Sequence, residues 1–584
     1  MTAEQTKIAE ESHVKAPWLN VYGVVPPHLD YPDCTMYEAV EHCAETYPNH
    51  TAYVFMGRKT TYRAMAAEID LCARALKATG VRPGDRITMA MPNCPQAVIM
   101  FYAINLVGAT ANMIHPLSSE KEIEFYLKES GSIFAVTLDQ FYHKFEAIRQ
   151  NVTLDNIILA SIPDALSKPV RVGYMLTEGR KQAKIPKDAP VLRWNEFLRR
   201  GRGYHWTYRA ERRAGDEAVI LYSGGTTGVT KGIQLTNLNF NALGKQIIAT
   251  NPMFRPGDKM LAVMPMFHGF GLGVSIHSML VSGGCCILVP RFTPDSYAKL
   301  LLKYRCNLIA GVPTLYEALL RLPKMKNADL SCLKGVYSGG DSLSVELKKR
   351  FDQFLFDHHA TIQVREGYGL TECVTASCLT PYHISREGSI GIPFPDTYYK
   401  IVEHGTQKEV PYGTEGEICL SGPTVMMGYL HHPEETAQTL QTHEDGLAWV
   451  HTGDLGYMDP DGFVYFRQRL KRMIVTSGYN VYPSQMENIL DAHEFVQMSC
   501  VIGVPDPLKM QKVKAFVMLK PGVPANEETK AVLMAYIRKN VAKYALPYDI
   551  EFRAELPKTL VGKVAYRVLE EEELKKLSET AQEQ

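Results

Sequence analysis

Apolar and polar positions follow two kinds of pattern along the first part of the chain. Segments 61–79 and 96–107 repeat apolar residues with helical spacing, whereas 86–91 and 132–137 are short apolar runs with the length of buried strands. Helices that alternate with such strands build layered sheets with much parallel pairing. The pattern therefore predicts an α/β fold, with a large N-terminal domain of layered β-sheets flanked by helices.

Two stretches depart from this alternation. The longest apolar run, 97–114, contains Asn105, Gly108 and Asn112, and polar segments flank it. We expect a buried helix followed by a strand there rather than a membrane span. The stretch 166–202 is richer in Lys, Arg and Pro, which predicts an irregular surface excursion.

The pattern changes in the last third of the chain. Short strand-like runs at 416–421, 456–458 and 463–467 surround the turn sequence Asp459-Pro460-Asp461-Gly462. Pro and Gly at these turn positions are typical of antiparallel sheet. We expect a small β-barrel-like subdomain in this region.

A compact α+β unit begins after Arg469. Its predicted helices are 484–492 and 527–541, and its predicted strands are 499–503 and 514–519. We place a domain boundary near Lys471, which divides the chain into an N-terminal domain, 1–470, and a small C-terminal domain, 471–584.

The composition fits a globular protein of more than one domain. The chain has 584 residues, of which 46% are hydrophobic and 22% charged. Lys plus Arg and Asp plus Glu both number 63, so no net charge favours nucleic acid as a partner. One basic cluster comprises Arg199, Arg200, Arg202, Arg209, Arg212 and Arg213. It is either a solvated loop face or a contact for anionic lipid or a phosphorylated substrate.

Cysteine usage and the first residues bear on location. The twelve Cys are scattered without a CxxC pair, and only Cys285 and Cys286 lie close together. This spacing indicates neither a disulfide framework nor structural zinc, and it fits a reducing compartment. Residues 1–18 are polar and contain no apolar signal core. We expect a cytoplasmic protein without a transmembrane segment; peripheral membrane contact and a homodimer stay open.

The strongest chemical signal is a loop that follows the apolar run 218–222. Its residues are Ser223, Gly224, Gly225, Thr226, Thr227, Gly228, Val229 and Thr230, and Lys231 and Gly232 come next. Closely spaced backbone N–H groups, hydroxyls and a lysine suit a polyphosphate. A Walker A loop needs Gly before its Lys and Ser or Thr after it, so the order here argues against a P-loop ATPase or kinase.

Three further motifs carry groups that suit a nucleotide. Tyr368-Gly369-Leu370-Thr371-Glu372 offers a ring for a purine, a hydroxyl for phosphate and a carboxylate for magnesium. Thr452-Gly453-Asp454 and the later Arg469 offer a carboxylate and a planar cation for ribose or phosphate. Ser338-Gly339-Gly340 is a turn after a short strand. Taken singly, each motif is equally typical of an ordinary turn or junction.

The loop at 223–232 resembles the phosphate-binding loop of the adenylate-forming superfamily, which includes acyl-CoA synthetases, adenylation domains of nonribosomal peptide synthetases and firefly luciferase. The other motifs follow in the family's order over nearly the whole chain. The resemblance implies that Thr371 contacts phosphate, that Glu372 holds Mg²⁺ and that Asp454 binds ribose beside Arg469. The residues it implies for adenine are Ser338, Gly339, Gly340, Tyr368 and Gly369. Asp341 follows this turn at the position where the family usually has a small residue.

The motif Pro557-Lys558-Thr559-Leu560-Val561-Gly562-Lys563 is an exposed basic loop when taken alone. The family's matching lysine bridges the carboxylate and the α-phosphate, which implies that Lys563 is catalytic, as is Lys231 at the phosphates. The resemblance further implies a mobile C-terminal domain that turns about Lys471 and opens a coenzyme A channel beside Gly478. A lysine acetyltransferase and a deacetylase acting on Lys563 would switch the enzyme.

Two apolar segments match the walls of the family's acyl pocket. One supplies His268 and Phe270, and the other supplies Gly311 and Val312. For Phe270 the protein core is an equal alternative. The chain is most similar to bacterial medium- or long-chain fatty acyl-CoA ligases. That similarity implies that ATP and an apolar carboxylic acid give acyl-AMP and pyrophosphate, after which coenzyme A takes the acyl group.

Other functions stay open on the sequence. An aromatic or bile acid is an alternative substrate, a carrier protein is an alternative acceptor, and a luciferase-type oxygenase would share every motif. A non-catalytic scaffold that binds nucleotide or acyl ligand is the alternative outside catalysis. Such a scaffold would be expected to have lost some of five residues that this chain retains, which are Lys231, Glu372, Asp454, Arg469 and Lys563.

Overall fold

Two large and mainly parallel sheets form the first part of the protein. The structure is a computed structural model that describes residues 14–177, 179, 185–186, 188–223, 230–476, 479–506, 509–559 and 562–582. Within those residues sheet 1 has nine strands, in the spatial order Ile392–Pro393, Cys378–Leu379, Val364–Tyr368, Gly335–Ser338, Leu308–Gly311, Lys259–Ala262, Cys285–Leu288, Thr51–Phe55 and Arg58–Thr61. Sheet 2 has eight described strands, in the order Gly428–Tyr429, Lys231–Thr236, Glu217–Ser223, Thr110–Met113, Arg86–Ala90, Phe134–Leu138, Asn156–Ala160 and Leu192–Arg193.

Helices cover these sheets and lie between them. The described α-helices of this part are Met36–Thr46, Tyr62–Ala78, Pro95–Leu106, Glu120–Ser130, Tyr142–Ala147, Lys168–Leu176, Trp194–Arg202, Asn237–Ala249, Ser278–Leu280, Pro294–Tyr304, Pro313–Leu320, Val345–Asp357 and Pro433–Thr439. Phe270–His277 is a π-helical segment. Helix Pro95–Leu106 is buried along its whole length, and one core cluster joins it to strands of both sheets. Many strands of these sheets have continuous apolar runs, as expected for strands that are covered on both faces.

The predicted alternation is confirmed in this part. The helix expected at 61–79 is Tyr62–Ala78, and the Thr61 hydroxyl caps its first turn by accepting the Ala64 N–H. The helix expected at 96–107 is Pro95–Leu106, and the apolar run then continues into the strand Thr110–Met113. No described helix is both long and apolar enough to cross a membrane.

The prediction of an irregular excursion at 166–202 is wrong for both ends of that stretch. The structure has helices Lys168–Leu176 and Trp194–Arg202 there. Trp194, Phe197 and Gly201 are buried at helical spacing, and a Cβ on Gly201 would lie 2.5 Å from the Leu71 carbonyl oxygen. The second helix therefore packs closely on helix Tyr62–Ala78, because three small or apolar positions outweigh its many charges.

An antiparallel sheet, sheet 3, follows in the chain. Its described strands are Tyr398–Val402, Gly416–Ser421, Leu440–Thr442, Ala448–Met458 and Val464–Arg469. The run predicted at 456–458 is thus the end of a longer strand. The predicted turn closes with a hydrogen bond from the Gly462 N–H to the Asp459 carbonyl, 2.9 Å long.

A fourth sheet and three helices make up the described residues of the C-terminal part. The described strands are Ile474–Thr476, Tyr479–Val481, Val496–Asp506, Met510–Leu519 and Asp549–Phe552, and the helices are Pro483–Asp491, Glu527–Asn540 and Tyr566–Gln582. The short 3₁₀ turns among the described residues are Pro17–Val21, Asp139–Phe141, Arg149–Asn151, Ile162–Ala165, Pro323–Met325, Thr371–Cys373, Leu470–Arg472 and Lys543–Ala545. The α/β fold class with a smaller α+β unit is confirmed. The boundary near Lys471 falls in the turn between sheets 3 and 4 and stays a prediction.

Candidate active site

The carboxyl ends of neighbouring parallel strands in sheet 1 form the floor of the site. Gly311 pairs with Ser338, and Ser338 pairs with Glu366 in the next strand. The Gly339 N–H donates to the Gly311 carbonyl at 3.2 Å, so the turn after Ser338 stays over the neighbouring strand. Ligands of open α/β sheets bind outside this edge. The motifs 338–340 and 368–372 enter the site from this edge, and the Asp454 motif enters it from sheet 3 beside it.

A buried carboxylate faces this edge from sheet 3. Asp454 is 1% exposed, and its Oδ2 accepts a 2.6 Å hydrogen bond from the Tyr368 hydroxyl. The Arg469 Nε lies 3.3 Å from Oδ1 as an ion pair but not in hydrogen-bond geometry, so this oxygen lacks a described donor. Burial raises the pKa of Asp454, and the charge of Arg469 opposes that change. The free acceptor suits a ribose hydroxyl.

The motif that contains Thr371 and Glu372 turns sharply behind Tyr368. A Cβ at Gly369 would lie 2.4 Å from the Thr375 carbonyl oxygen, so only glycine fits between these two segments. Glu372 sits in the 3₁₀ turn Thr371–Cys373, and its carboxylate accepts a 2.8 Å hydrogen bond from the Tyr429 hydroxyl. This carboxylate is therefore held at one place beside sheet 2.

Lys231 lies over the ring of Tyr429. It begins the strand Lys231–Thr236 and pairs with Ser223 across the hairpin whose loop, Gly224, Gly225, Thr226, Thr227 and Gly228, lies outside the described residues. Its Nζ is 3.4 Å from Glu435 Oε1 and 5.2 Å from the centre of the Tyr429 ring. Tyr429 thus connects the lysine of one motif to the carboxylate of another. The sequence offered no signal for it, since Gly428 and Tyr429 stand apart from every motif.

Lys563 reaches this edge from the C-terminal part. The Thr314 hydroxyl donates to the Gly562 carbonyl at 2.9 Å, and the Val564 N–H donates to Asp341 Oδ2 at 3.4 Å. A Cβ on Gly340 would lie 3.4 Å from Lys563 Cε. The lysine is therefore beside the turn 338–340.

The charges around Lys563 come from several motifs. Burial lowers its pKa, and Asp341 and Asp454 oppose this while Arg469 adds to it. Asp341, which the sequence marked only as a departure from the family, thus helps to hold the lysine loop together with Thr314. The structure brings Lys563, Asp454 and Arg469 together although long stretches of chain separate them.

A cavity opens next to this group, with an empty volume of about 430 Å³ that includes some open solvent. The lining residues are Ile247, Phe270, Val274, Tyr337, Ser338, Gly339, Gly340, Gly367, Thr375, Ala376, Cys378, Leu379 and Phe394. None of them carries a formal charge. Phe270 therefore faces a cavity as well as packing on the core. The Ser338 hydroxyl is buried there and has no described hydrogen-bond partner.

The other residues predicted for the acyl pocket lie at its edge. His268 Nδ1 accepts the Phe270 N–H at 3.2 Å, and burial, followed by the charge of Lys563, lowers the pKa of His268 to about 3. Val312 lies beside the lysine loop, since a Cβ on Gly562 would lie 3.4 Å from its side chain. Gly311 supports the turn after Ser338. Roles of these residues in the pocket stay predictions.

Two predicted residues of the C-terminal part, Lys471 and Gly478, are not fully covered by the described structure. Lys471 is in the turn Leu470–Arg472, where only its backbone is described. Gly478 lies outside the described residues. The hinge and the coenzyme A channel therefore stay predictions.

Comparisons with known proteins match most of the chain. The family model for AMP-binding enzyme covers residues 40–430, and the model for AMP-binding enzyme C-terminal domain covers residues 485–563. The long-chain-fatty-acid–CoA ligase of Bacillus subtilis (strain 168) is 36% identical over 565 residues, 95% of this chain and 98% of that protein. The long-chain-fatty-acid–CoA ligase of Salmonella typhimurium is 33% identical over 570 residues, 96% of this chain and 98% of that protein.

Solved structures share the fold. The anthranilate CoA ligase AuaEII in complex with anthranoyl-AMP has a TM-score of 0.80 and 26% identity, covering 93% of this chain and 97% of its own. ATP-bound MatB from Rhodopseudomonas palustris has a TM-score of 0.78 and 25% identity, covering 92% of this chain and 99% of its own.

Proposed function

Because the chain belongs to the AMP-binding enzyme family, we propose that it is an ATP-dependent ligase that joins a medium- or long-chain fatty acid to coenzyme A. The observation that carries this proposal is the position of Lys563. It lies beside Gly340, which lines the uncharged cavity, and within the electrostatic reach of Asp454 and Arg469. The named activity of the relatives, long-chain-fatty-acid–CoA ligation, supports the same reaction.

The first step is acyl-adenylate formation. A carboxylate oxygen of the acid attacks the α-phosphorus of ATP, a P–O bond forms, and the bond to pyrophosphate breaks. The step adds negative charge to oxygens at the α-phosphorus, and preorganised cations stabilise that charge. Lys563 supplies one cation at the acid and the α-phosphate, and Lys231 supplies another toward the departing phosphates. Lys231 exchanges its present partner, Glu435, for phosphate oxygens.

His268 has a different task at the cavity mouth. With a pKa of about 3 it is neutral at physiological pH. Its Nδ1 accepts the Phe270 N–H, which puts the ring proton on Nε2. A neutral N–H donor orients the acid's carboxylate without competing with Lys563 as a counter-ion.

Magnesium would be held by Glu372. The described residues contain no group of three or more His, Cys, Asp or Glu side chains that could hold a metal ion by themselves. Mg²⁺ bound with a nucleotide needs only one or two carboxylates, because phosphates and water complete its coordination. Glu372 provides one such carboxylate, fixed by Tyr429. The ion would neutralise charge on the pyrophosphate group.

The second step transfers the acyl group. The thiol sulfur of coenzyme A attacks the acyl carbon of the mixed anhydride, its proton is lost, and AMP leaves with the bridging oxygen. In the described arrangement the Lys563 side chain lies beside Gly340. The C-terminal domain turns about Lys471 to withdraw the loop and bring Gly478 to the pantetheine chain.

The lining of the cavity favours an apolar acyl chain. Its side chains are aliphatic or aromatic apart from Ser338, Thr375, Cys378 and the Tyr337 hydroxyl. The Tyr337 hydroxyl already accepts a 2.8 Å hydrogen bond from Asn251, and burial keeps its pKa high. A cavity of this kind stabilises alkyl groups by excluding water and has no charged group to bind an amine or a second carboxylate.

One experiment tests the proposed reaction and names the acid. The purified protein is mixed with ATP, Mg²⁺ and a panel of acids from acetate to palmitate, with benzoate, a cinnamate and a bile acid included. Products are identified by mass spectrometry with and without coenzyme A. We expect acyl-CoA and AMP from an alkyl window of medium to long chains. Acyl-adenylate that accumulates in the presence of coenzyme A, or activity confined to the aromatic or bile acids, would contradict the proposal.

A further inference from the structure

A bulge in sheet 3 places the carboxylate of Asp454. Strand Gly416–Ser421 pairs with strand Ala448–Met458, but the register shifts between the pairs Glu417–Leu455 and Cys419–His451. Only Ile418 therefore faces the three residues 452–454. Bulges of this kind bend a strand and redirect a side chain, often beside an active site. Here the redirected side chain is the buried carboxylate that meets Tyr368.

The bulge frees two backbone N–H groups, and side chains bind both. The Asp454 N–H donates to the Thr452 hydroxyl oxygen at 3.1 Å, and this hydroxyl donates to the Ile418 carbonyl at 2.7 Å. The Gly453 N–H donates to Glu417 Oε1 at 2.9 Å. Gly453 has φ +68°, a conformation that favours glycine. A buried N–H group left without an acceptor would cost free energy, so these bonds select this shape of the bulge.

Glu417 is itself held in place. Its side chain is 7% exposed, and its Oε2 lies 3.2 Å from His451 Nδ1. His451 Nε2 in turn lies 2.9 Å from His443 Nε2, and the exposed His404 approaches Oε2 at 3.7 Å. Burial raises the pKa of Glu417, but the bonds from His451 and the Gly453 N–H outweigh it and lower the pKa overall. The carboxylate is thus ionised, and its bond to Gly453 is charge-assisted.

From this geometry we infer that Glu417 is a positioning residue for nucleotide binding, which acts through the Gly453 bulge to aim Asp454 at the ribose. The inference rests on the proposed function in assigning ribose to Asp454. Glu417 itself contacts no nucleotide in this scheme. Its loss releases the Gly453 N–H, relaxes the bulge and turns the Asp454 carboxylate away from the ribose hydroxyls.

Direct binding separates this role from a general effect on the sheet. Binding of ATP, 2′-deoxyATP and 3′-deoxyATP is measured by calorimetry without acid or coenzyme A. The wild-type protein should prefer ATP over at least one deoxynucleotide by about tenfold or more, as expected when one buried hydrogen-bond acceptor is left unpaired. In Glu417→Ala this preference should fall to about twofold or less, with little change in the affinity for that deoxynucleotide.

Matched variants control the result. Glu417→Gln keeps an oxygen that accepts the Gly453 N–H and should keep most of the preference. Glu403→Ala removes an exposed glutamate whose ion pair is with Lys408, and it should bind all three nucleotides like the wild type. In the Asp454→Ala background, the further change Glu417→Ala should have no effect on the preference, because both act on one contact.

The outcomes distinguish this inference from the proposed reaction. Equal weakening of ATP and deoxynucleotide binding in Glu417→Ala, or a wild-type protein that binds them alike, would overturn the inference. If Glu417→Ala does not fold, His451→Leu removes the bond that orients the carboxylate and should lower the preference two- to threefold; an unchanged preference would again overturn it. A wild-type protein that shows the preference yet activates no acid would overturn only the proposed reaction.

Discussion

At the scale of single residues, the described contacts of Lys563 lead to a sharp expectation. Lys563→Gln keeps a polar side chain that is one atom shorter and removes its charge, so acyl-adenylate formation should fall about 100-fold or more. The measurement is ATP–pyrophosphate exchange with the preferred fatty acid. Acetylation of Lys563 would have the same physical effect, since it also neutralises the amine.

A second lysine of the same loop is the control for this expectation. Lys558 is five residues earlier and partly exposed, and its Nζ pairs with Glu555 at 3.4 Å. Lys558→Gln should leave the exchange rate within about twofold, because exposed ion pairs contribute little. Equal losses in the two variants would show that the loop needs positive charge in general and would refute the specific role of Lys563.

The sequence nominates candidate site residues, but it does not show what holds them in place. The order of motifs singles out Glu372, Asp454 and Lys563, because each has a functional group that suits a part of ATP. Their supporting partners follow from no local pattern. Tyr429 is 57 residues from Glu372, and Asp341 is 223 residues from Val564. Only the paired strands and the docked loop bring such residues into contact, so a single sequence carries no signal for them.

At the scale of elements, the π-helical segment Phe270–His277 connects the cavity to the core. His277 is fully buried, with Nε2 2.9 Å from Asn241 Oδ1 and Nδ1 3.0 Å from the Tyr102 hydroxyl. The neutral ring satisfies both contacts by donating to Asn241 and accepting from Tyr102. Burial lowers the pKa of His277 to about 3. The folded segment therefore favours the uncharged form of this histidine.

This burial predicts a loss of stability in acid. Between pH 6.5 and pH 3 the unfolded chain binds a proton at His277 that the folded chain does not, so stability falls as the pH falls. The expected loss is about 2 kcal/mol by pH 5. His277→Gln removes this titration, and its melting temperature should fall less than that of the wild type between pH 7 and pH 5.

A surface histidine gives the reference for this measurement. His42 is exposed on helix Met36–Thr46, and His42→Gln should keep the acid sensitivity of the wild type. Melting is followed by intrinsic fluorescence at half-unit pH steps. If His277→Gln and His42→Gln lose stability in parallel with the wild type, the acid sensitivity has another origin.

Elements with a regular spacing of apolar residues were predictable from the sequence. Elements in which charged residues obscure that spacing were not. Helix Tyr62–Ala78 has regular apolar spacing and a threonine cap, so its bounds follow from the chain itself. Helix Trp194–Arg202 packs closely on another helix at Gly201. This contact is not evident from the sequence, because the composition of the segment is dominated by its arginines. The bulge at 452–454 likewise depends on a strand far away in the chain.

At the scale of the whole molecule, the C-terminal part is docked in an arrangement that suits the first step. The Thr314–Gly562 hydrogen bond and the approach of Val564 to Asp341 hold the loop of Lys563 over the N-terminal part. The second step needs the loop to leave. A contact present in only one arrangement changes the population of that arrangement and so the rate of only one step.

Thr314 allows the two steps to be separated. Thr314→Val keeps the shape of the side chain and removes the donor to the Gly562 carbonyl, which should cost about 0.5–1.5 kcal/mol of docking, or a two- to tenfold slower adenylation. Thioester formation from supplied acyl-adenylate and coenzyme A should be unchanged or faster. The two half-reactions are measured separately, by pyrophosphate exchange and by acyl-CoA release.

Two further variants decide what the result of Thr314→Val means. Thr314→Ser keeps the hydroxyl and should adenylate at nearly the wild-type rate, so a loss there would point to packing rather than to the hydrogen bond. Gly478→Leu should show the opposite selectivity, with adenylation kept and thioester formation lost, because a side chain at that position would obstruct pantetheine. If Thr314→Val slows both half-reactions equally, the docked loop supports the fold in general, and the assignment of this arrangement to the first step is wrong.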